Sequence, residues 1–222
     1  MLMIITDQRE LGNQIGGHLF QKGVYFYQTP LETGLFYCEA KDTGGVILDC
    51  TDTSHKGDRL FDALRQRYPE MPIAVLCKRT RHSPPPNANL ILWDAEPDTL
   101  LPHLEDFCFD TCGWQRAPLS TAYLTVGKDP SKTAYMGCRL KLAPKENELL
   151  RCLLYRSPRL TSAEDLGRLC NPFGSIRAST VTIQIRNINL RAAAIDSRPL
   201  IVNEYGKGYR LRDGIILKKR KK

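Results

Sequence analysis

Five short apolar stretches punctuate the first part of the chain, at Leu2–Ile5, Val24–Tyr27, Val46–Leu48, Ile73–Leu76 and Leu90–Trp93, and none alternates with polar residues. A strand with one wet face needs alternation, because successive side chains point to opposite sides of a sheet. An unbroken apolar run suits a strand covered on both faces. Segments with helical spacing or turn residues lie between the runs, so the pattern predicts an α/β domain over 1–112 built on a doubly wound, five-stranded parallel sheet. Chemistry in such sheets gathers at the carboxyl ends of the strands. Those ends carry Thr6, Asp7 and Gln8, then Asp49, Cys77 and Asp94.

Residues 113–120 hold glycine, proline and small polar side chains and read as a short linker. Over 121–213 the pattern changes. Ala122–Val126 and Ala134–Lys141 flank the turn-rich KDPSK and predict a small antiparallel sheet. A helix follows, with Pro144 in its first turn and Leu149, Leu150, Leu153 and Leu154 on one face. Thr161 and Glu164 have capping-box spacing ahead of Leu166, Leu169 and Cys170, which predicts a second helix ending before Asn171-Pro172.

A third helix is expected from about 176 to 193. Val181, Ile185, Ile188 and Ala192 form its inner stripe, whereas Thr180, Ile183, Asn187, Leu190 and Arg191 lie opposite, with Gln184 and Arg186 at the edges. Leu200–Asn203 and Tyr209–Arg212 then enclose Glu204–Gly208, a hairpin with two glycines at its tip. Residues 214–222 are a basic tail ending in KKRKK, which serves either solubility or non-specific attraction to DNA.

The charge divides along the same boundary. Residues 1–117 carry 11 Lys/Arg and 16 Asp/Glu, net −5, whereas 118–222 carry 21 and 8, net +13. Such asymmetry points to a polyanion met by the second domain. The outer face of the third helix suits duplex DNA: Gln and Asn read adenine, Arg reads guanine or phosphate, and an outward Ile183 meets the thymine methyl.

Other classes are less supported. No apolar run reaches the length of a membrane helix, and MLMIITD meets Asp7 too early for a signal peptide, so a soluble cytoplasmic protein is expected. The eight cysteines are scattered without a CxxC pair. Cys108 and Cys112 stand one helical turn apart near His103, a weak metal or cross-linking signal, so no metal or cofactor is expected. No Ser/His/Asp set or glycine-rich phosphate loop suggests an enzyme.

MIITDQ, VILDC, PIAVLC and LILWDAEP together resemble the first, third, fourth and fifth strands of the receiver domain of two-component response regulators. STVTIQIRNINLR and VNEYGKGYRL resemble the recognition helix and wing of the OmpR/PhoB effector domain. The resemblance implies an OmpR/PhoB-type response regulator with an atypical receiver. Asp49 takes the phosphoacceptor position and Asp7 one acid of the Mg²⁺ pair, but Thr6 replaces the other acid, Cys77 the hydroxyl residue and Asp94 the lysine. Losing a hard oxygen ligand weakens Mg²⁺, and a carboxylate in place of the cation repels a phosphoryl group, so Asp49 is expected to stay unphosphorylated.

Residues 78–89, KRTRHSPPPNAN, contain three consecutive prolines, and the family's fourth helix is expected to be missing there. Dimerisation through the N-terminal domain must then use another surface. Leu100, Leu101, Leu104, Phe107 and Cys108 on the last helix of that domain form either such a surface or a cover for the sheet. For the second domain the resemblance implies Ser179, Thr180, Ile183, Gln184 and Asn187 facing the groove and Asn203, Tyr205 and Lys207 flanking from the wing, while helical spacing adds Arg186 and Arg191 as candidate DNA contacts. The expected function is a homodimeric transcription regulator on double-stranded DNA. Two alternatives remain: thiol-redox sensing through Cys50 or Cys77, and a protein-interaction scaffold without specific DNA binding.

Overall fold

Strand β1 (Leu2–Ile5) is buried throughout, Leu2 and Ile4 packing into one apolar cluster and Met3 and Ile5 into another. The computed structural model describes residues 1–41, 43–51, 55–78, 85–93, 97–115, 119–174, 176–212 and 215. The chain divides into two units, Met1–Trp114 and Gln115–Lys222.

In the first unit, β1 lies between β2 (Phe26–Thr29) and β3 (Gly45–Cys50), followed by β4 (Ile73–Cys77) and β5 (Leu90–Trp93). The order is β2-β1-β3-β4-β5 and every pairing is parallel. Helices α1 (Arg9–Gln21) and α4 (Pro97–Asp106) cover one face through Ile15, Leu19, Leu100 and Leu104. Helices α2 (Gly34–Ala40) and α3 (Lys56–Arg67) cover the other through Cys38, Phe61 and Leu64. This is the doubly wound sheet that unalternated apolar runs require.

Strand β2 begins two residues later than its apolar run, because its ladder with β1 opens at Leu2↔Phe26. Val24 and Tyr25 are buried ahead of it, and edge position tolerates Gln28 and Thr29 in the strand. Between β4 and β5 the described residues, 78 and 85–89, contain no helix. The expectation about the missing fourth helix also concerns 79–84, which lie outside the described residues. After α4 the helix widens into a π-helical turn, Phe107–Thr111, and Leu100, Leu104, Phe107 and Cys108 are all buried against the sheet. The stripe therefore covers its own sheet, with Leu101 partly buried beside it.

In the second unit, four short antiparallel strands stand in chain order: β6 (Leu119–Ser120), β7 (Leu124–Val126), β8 (Ala134–Tyr135) and β9 (Cys138–Arg139). The run expected over 134–141 is broken at Met136 and Gly137, whose φ values of 50° and 79° make the tight reversal a two-residue hairpin needs. Helix α5 (Pro144–Arg156) buries Leu149, Leu150, Leu153 and Leu154, and the Glu146 carboxylate accepts the Ala143 N–H at 2.8 Å, closing its first turn.

Helix α6 (Ala163–Cys170) starts one residue later than expected. Ser162, not Thr161, caps it, accepting the Asp165 N–H at 3.1 Å. Thr161 instead exchanges two backbone hydrogen bonds of 2.9 Å with Tyr209. Helix α7 (Ala178–Ala193) buries Val181, Ile185, Ile188 and Ala192, and the hairpin of β10 (Ile201–Glu204) and β11 (Gly208–Leu211) completes the unit. Helix α7 contacts both α6 and α5, so its inner stripe is the seam of a three-helix core. Sheet, three helices and hairpin make a winged helix-turn-helix.

Candidate nucleic-acid interface

The carboxyl ends of β1 and β3 bring the receiver-like residues together. Asp49 is buried, and both of its oxygens are occupied. Oδ2 accepts from Thr6 Oγ1 at 2.6 Å and Gln8 Nε2 at 3.1 Å, while Oδ1 accepts from the Thr51 N–H at 2.9 Å and its hydroxyl at 2.6 Å. Gln8 also donates to Thr51 Oγ1 at 2.8 Å, and its own N–H bonds Thr6 Oγ1 at 2.9 Å. The donors thus form a closed ring around one carboxylate. Gln8 was read at the end of the first strand but given no role, and Thr51, two residues after Asp49, was not named.

Asp7 takes no part in this ring. Its Oδ1 accepts the Leu31 N–H at 2.9 Å, at the start of a short 3₁₀ turn after β2. Cys77 and Cys50 are register partners on β4 and β3, buried at 1% and 5% exposure in the same apolar cluster, so neither presents a thiol to solvent. Asp94 lies outside the described residues. Among the described residues no group of three or more His, Cys, Asp or Glu side chains is placed to hold a metal, and no helix is long and apolar enough to cross a membrane.

The second unit offers a different surface. Ser179, Thr180, Ile183 and Arg186 are exposed on α7, and Ile183 and Leu190 are 59% and 61% exposed. Gln184 sits on the flank, half-buried, with Oε1 enclosed and lacking a hydrogen-bond partner among the described residues. Asn187 and Arg191 turn toward α5. Arg191 Nη1 lies 2.5 Å from Glu146 Oε2. Burial alone would push the Glu146 carboxyl up, but hydrogen bonds from Arg191, the Ala143 N–H and Asn187 outweigh it and hold the group below its usual range. Glu146 therefore caps α5 and fastens the outer half of α7 with the same carboxylate, and Arg191 is a paired cation.

Asn189 was not among the expected site residues, and its amide clamps the wing. Nδ2 donates to the Ile201 carbonyl and Oδ1 accepts the Ile201 N–H, both at 2.8 Å. The wing is also tied to α7 through the hydroxyls of Thr182 and Tyr209, 3.2 Å apart. At its tip Tyr205 is fully exposed and Asn203 exposed, while Lys207 lies 4.0 Å from Glu204, which also accepts from Arg210 Nε at 2.9 Å. The exposed α7 face and the wing tip thus belong to one braced unit, and Arg186 is exposed on the outer face of α7.

No family model matches the chain, and no curated protein matches it. Among solved structures, it is similar to a redox sensor of the streptococci evolved from two-component response regulators, at 15% identity over 96% of this chain and 100% of that one, TM-score 0.41. It is similar to the response regulator DrrB of Thermotoga maritima, an OmpR/PhoB homolog, at 18% identity over 95% and 97% of the two chains, TM-score 0.38. The receiver domain of NtrX from Brucella abortus matches at 15% identity over 50% of this chain and 99% of that one, TM-score 0.42. At these identities and scores the likenesses carry no function across.

Proposed function

We propose that this chain is a DNA-binding transcription regulator of the OmpR/PhoB kind, cytoplasmic and without enzymatic activity, whose atypical receiver works without aspartyl phosphorylation. The observation that carries the reading is the outer face of α7: exposed Ser179, Thr180, Ile183 and Arg186 on a rigid helix, in a part of the chain with net charge +13. A helix of this width fits the major groove, and the net charge draws it to phosphates. The wing tip, with Asn203, Tyr205 and Lys207, supplies a flanking contact.

One helix reads only a few base pairs, so two copies on adjacent half-sites are needed to single out an operator. The N-terminal unit is the proposed joint, by a surface other than the buried stripe of α4. Phosphorylation independence is supported by Asp49, whose oxygens are both hydrogen-bonded, in a site with Thr6 where a second Mg²⁺ ligand would stand.

The test is selection of duplexes by the full chain from a random pool, followed by titration of selected and scrambled duplexes. The selected sequence should bind at least about a thousandfold more tightly, and its affinity should fall about a hundredfold or more between about 50 and 200 mM salt. Equal affinity for selected and scrambled duplexes would remove the reading.

A further inference from the structure

Ile183 and Leu190 are the most outward-facing residues of α7. At about 100° per residue, the buried Val181, Ile185, Ile188 and Ala192 define its inner line, and positions 183 and 190 fall within about 20° of each other on the opposite one. Both are large and apolar, and both are more than half exposed. Exposed Ser179, Thr180 and Arg186 surround them. Such a face gains from an occupant that presents small apolar spots within a polyanionic frame. The major groove of duplex DNA does so at the C5-methyl group of each thymine.

We infer that Ile183 and Leu190 form a two-point reader of thymine methyl groups, selecting half-sites in which two thymines stand about two to three base pairs apart. This deepens the DNA-binding reading of α7 and rests on it. The spacing follows from the helix: seven residues advance about 10.5 Å along its axis. Base pairs advance about 3.4 Å along the duplex and somewhat more along the curved groove, so the two side chains meet methyls two to three steps apart. Arg186, between them in sequence and exposed, is placed to hold a phosphate or a guanine beside the pair.

The test uses the full chain and the duplex it selects from a random pool, with each thymine replaced in turn by uracil, which lacks only the methyl. Each half-site should show two sensitive positions, two to three base pairs apart, where uracil lowers affinity about three- to fivefold. Ile183→Ala should abolish the sensitivity at one position and Leu190→Ala at the other, both variants melting as the parent does. A selected duplex that binds equally well with uracil throughout, or variants that keep both sensitivities, overturns this inference and leaves DNA binding standing. A chain that selects no sequence overturns the underlying reading as well. Unchanged DNA affinity in Leu190→Ser together with lost self-association in sedimentation would assign the face to a second copy and overturn the inference.

Discussion

Replacing Gly208 by valine will destabilise the C-terminal unit by about 3–5 kcal/mol. Two independent effects meet at this residue. Its φ of +124° lies where side chains with a Cβ are strained, and a Cβ there would stand 2.4 Å from the Thr161 carbonyl oxygen and 2.7 Å from its carbon. Those are backbone atoms, held by the paired Thr161–Tyr209 hydrogen bonds that dock the wing beside α6, so they cannot swing aside. Either the pair breaks or the hairpin tilts, and both separate the wing from α7. Both tryptophans, Trp93 and Trp114, belong to the first unit, so their fluorescence follows that unit while far-UV circular dichroism follows both. The dichroism transition should move to lower urea and the fluorescence transition should stay. An unshifted dichroism transition would mean that the wing is not seated on Thr161.

The second large effect is expected at Asp49. Asp49→Ala removes the acceptor shared by Thr6, Gln8 and both donors of Thr51, leaving them around a small void at the end of β3. Unsatisfied buried donors cost about 1–3 kcal/mol each when water cannot reach them, and Gln8 and Thr51 are partly open to water, so a total near 2–4 kcal/mol is expected. The loss should appear in the tryptophan transition. Asp49→Asn keeps one acceptor oxygen and should lose less than half as much. Equal stability of Asp49→Ala and the parent would show that the ring of donors does not hold the carboxylate.

In both units the elements set by burial were legible in the sequence. The inner stripe of α7 was legible because burial of every third or fourth residue leaves a period that composition cannot hide, and Val181, Ile185, Ile188 and Ala192 are indeed its buried positions. The sheet of the first unit was legible for a similar reason: strands closed on both faces leave no polar residue inside a run. Features set by one hydrogen bond were less visible. Thr161 and Ser162 are chemically similar caps, and only the pairing of Thr161 with Tyr209 decides that Ser162 caps α6. Met136-Gly137 carries a hairpin turn that a methionine does not advertise.

The site shows the same division. The type and position of Asp49 were evident, but its saturation depends also on Gln8, which reaches it because β1 and β3 are neighbours, and on the hydroxyl of Thr51 two residues on. On α7, angular position alone placed Asn187 and Arg191 on the outer face. Glu146, 45 residues before Arg191, binds both, and no local pattern announces a partner at that distance. Asn189 likewise serves Ile201 of the wing.

The central claim, specific DNA binding without phosphorylation of Asp49, is tested most directly by titrating the selected duplex with full-length protein before and after incubation with a small phosphodonor and Mg²⁺, with intact mass recorded on the same samples. The account predicts no mass gain and dissociation constants within about threefold, under about 0.7 kcal/mol. A phosphoryl mass gain on Asp49 accompanied by markedly tighter binding would contradict it.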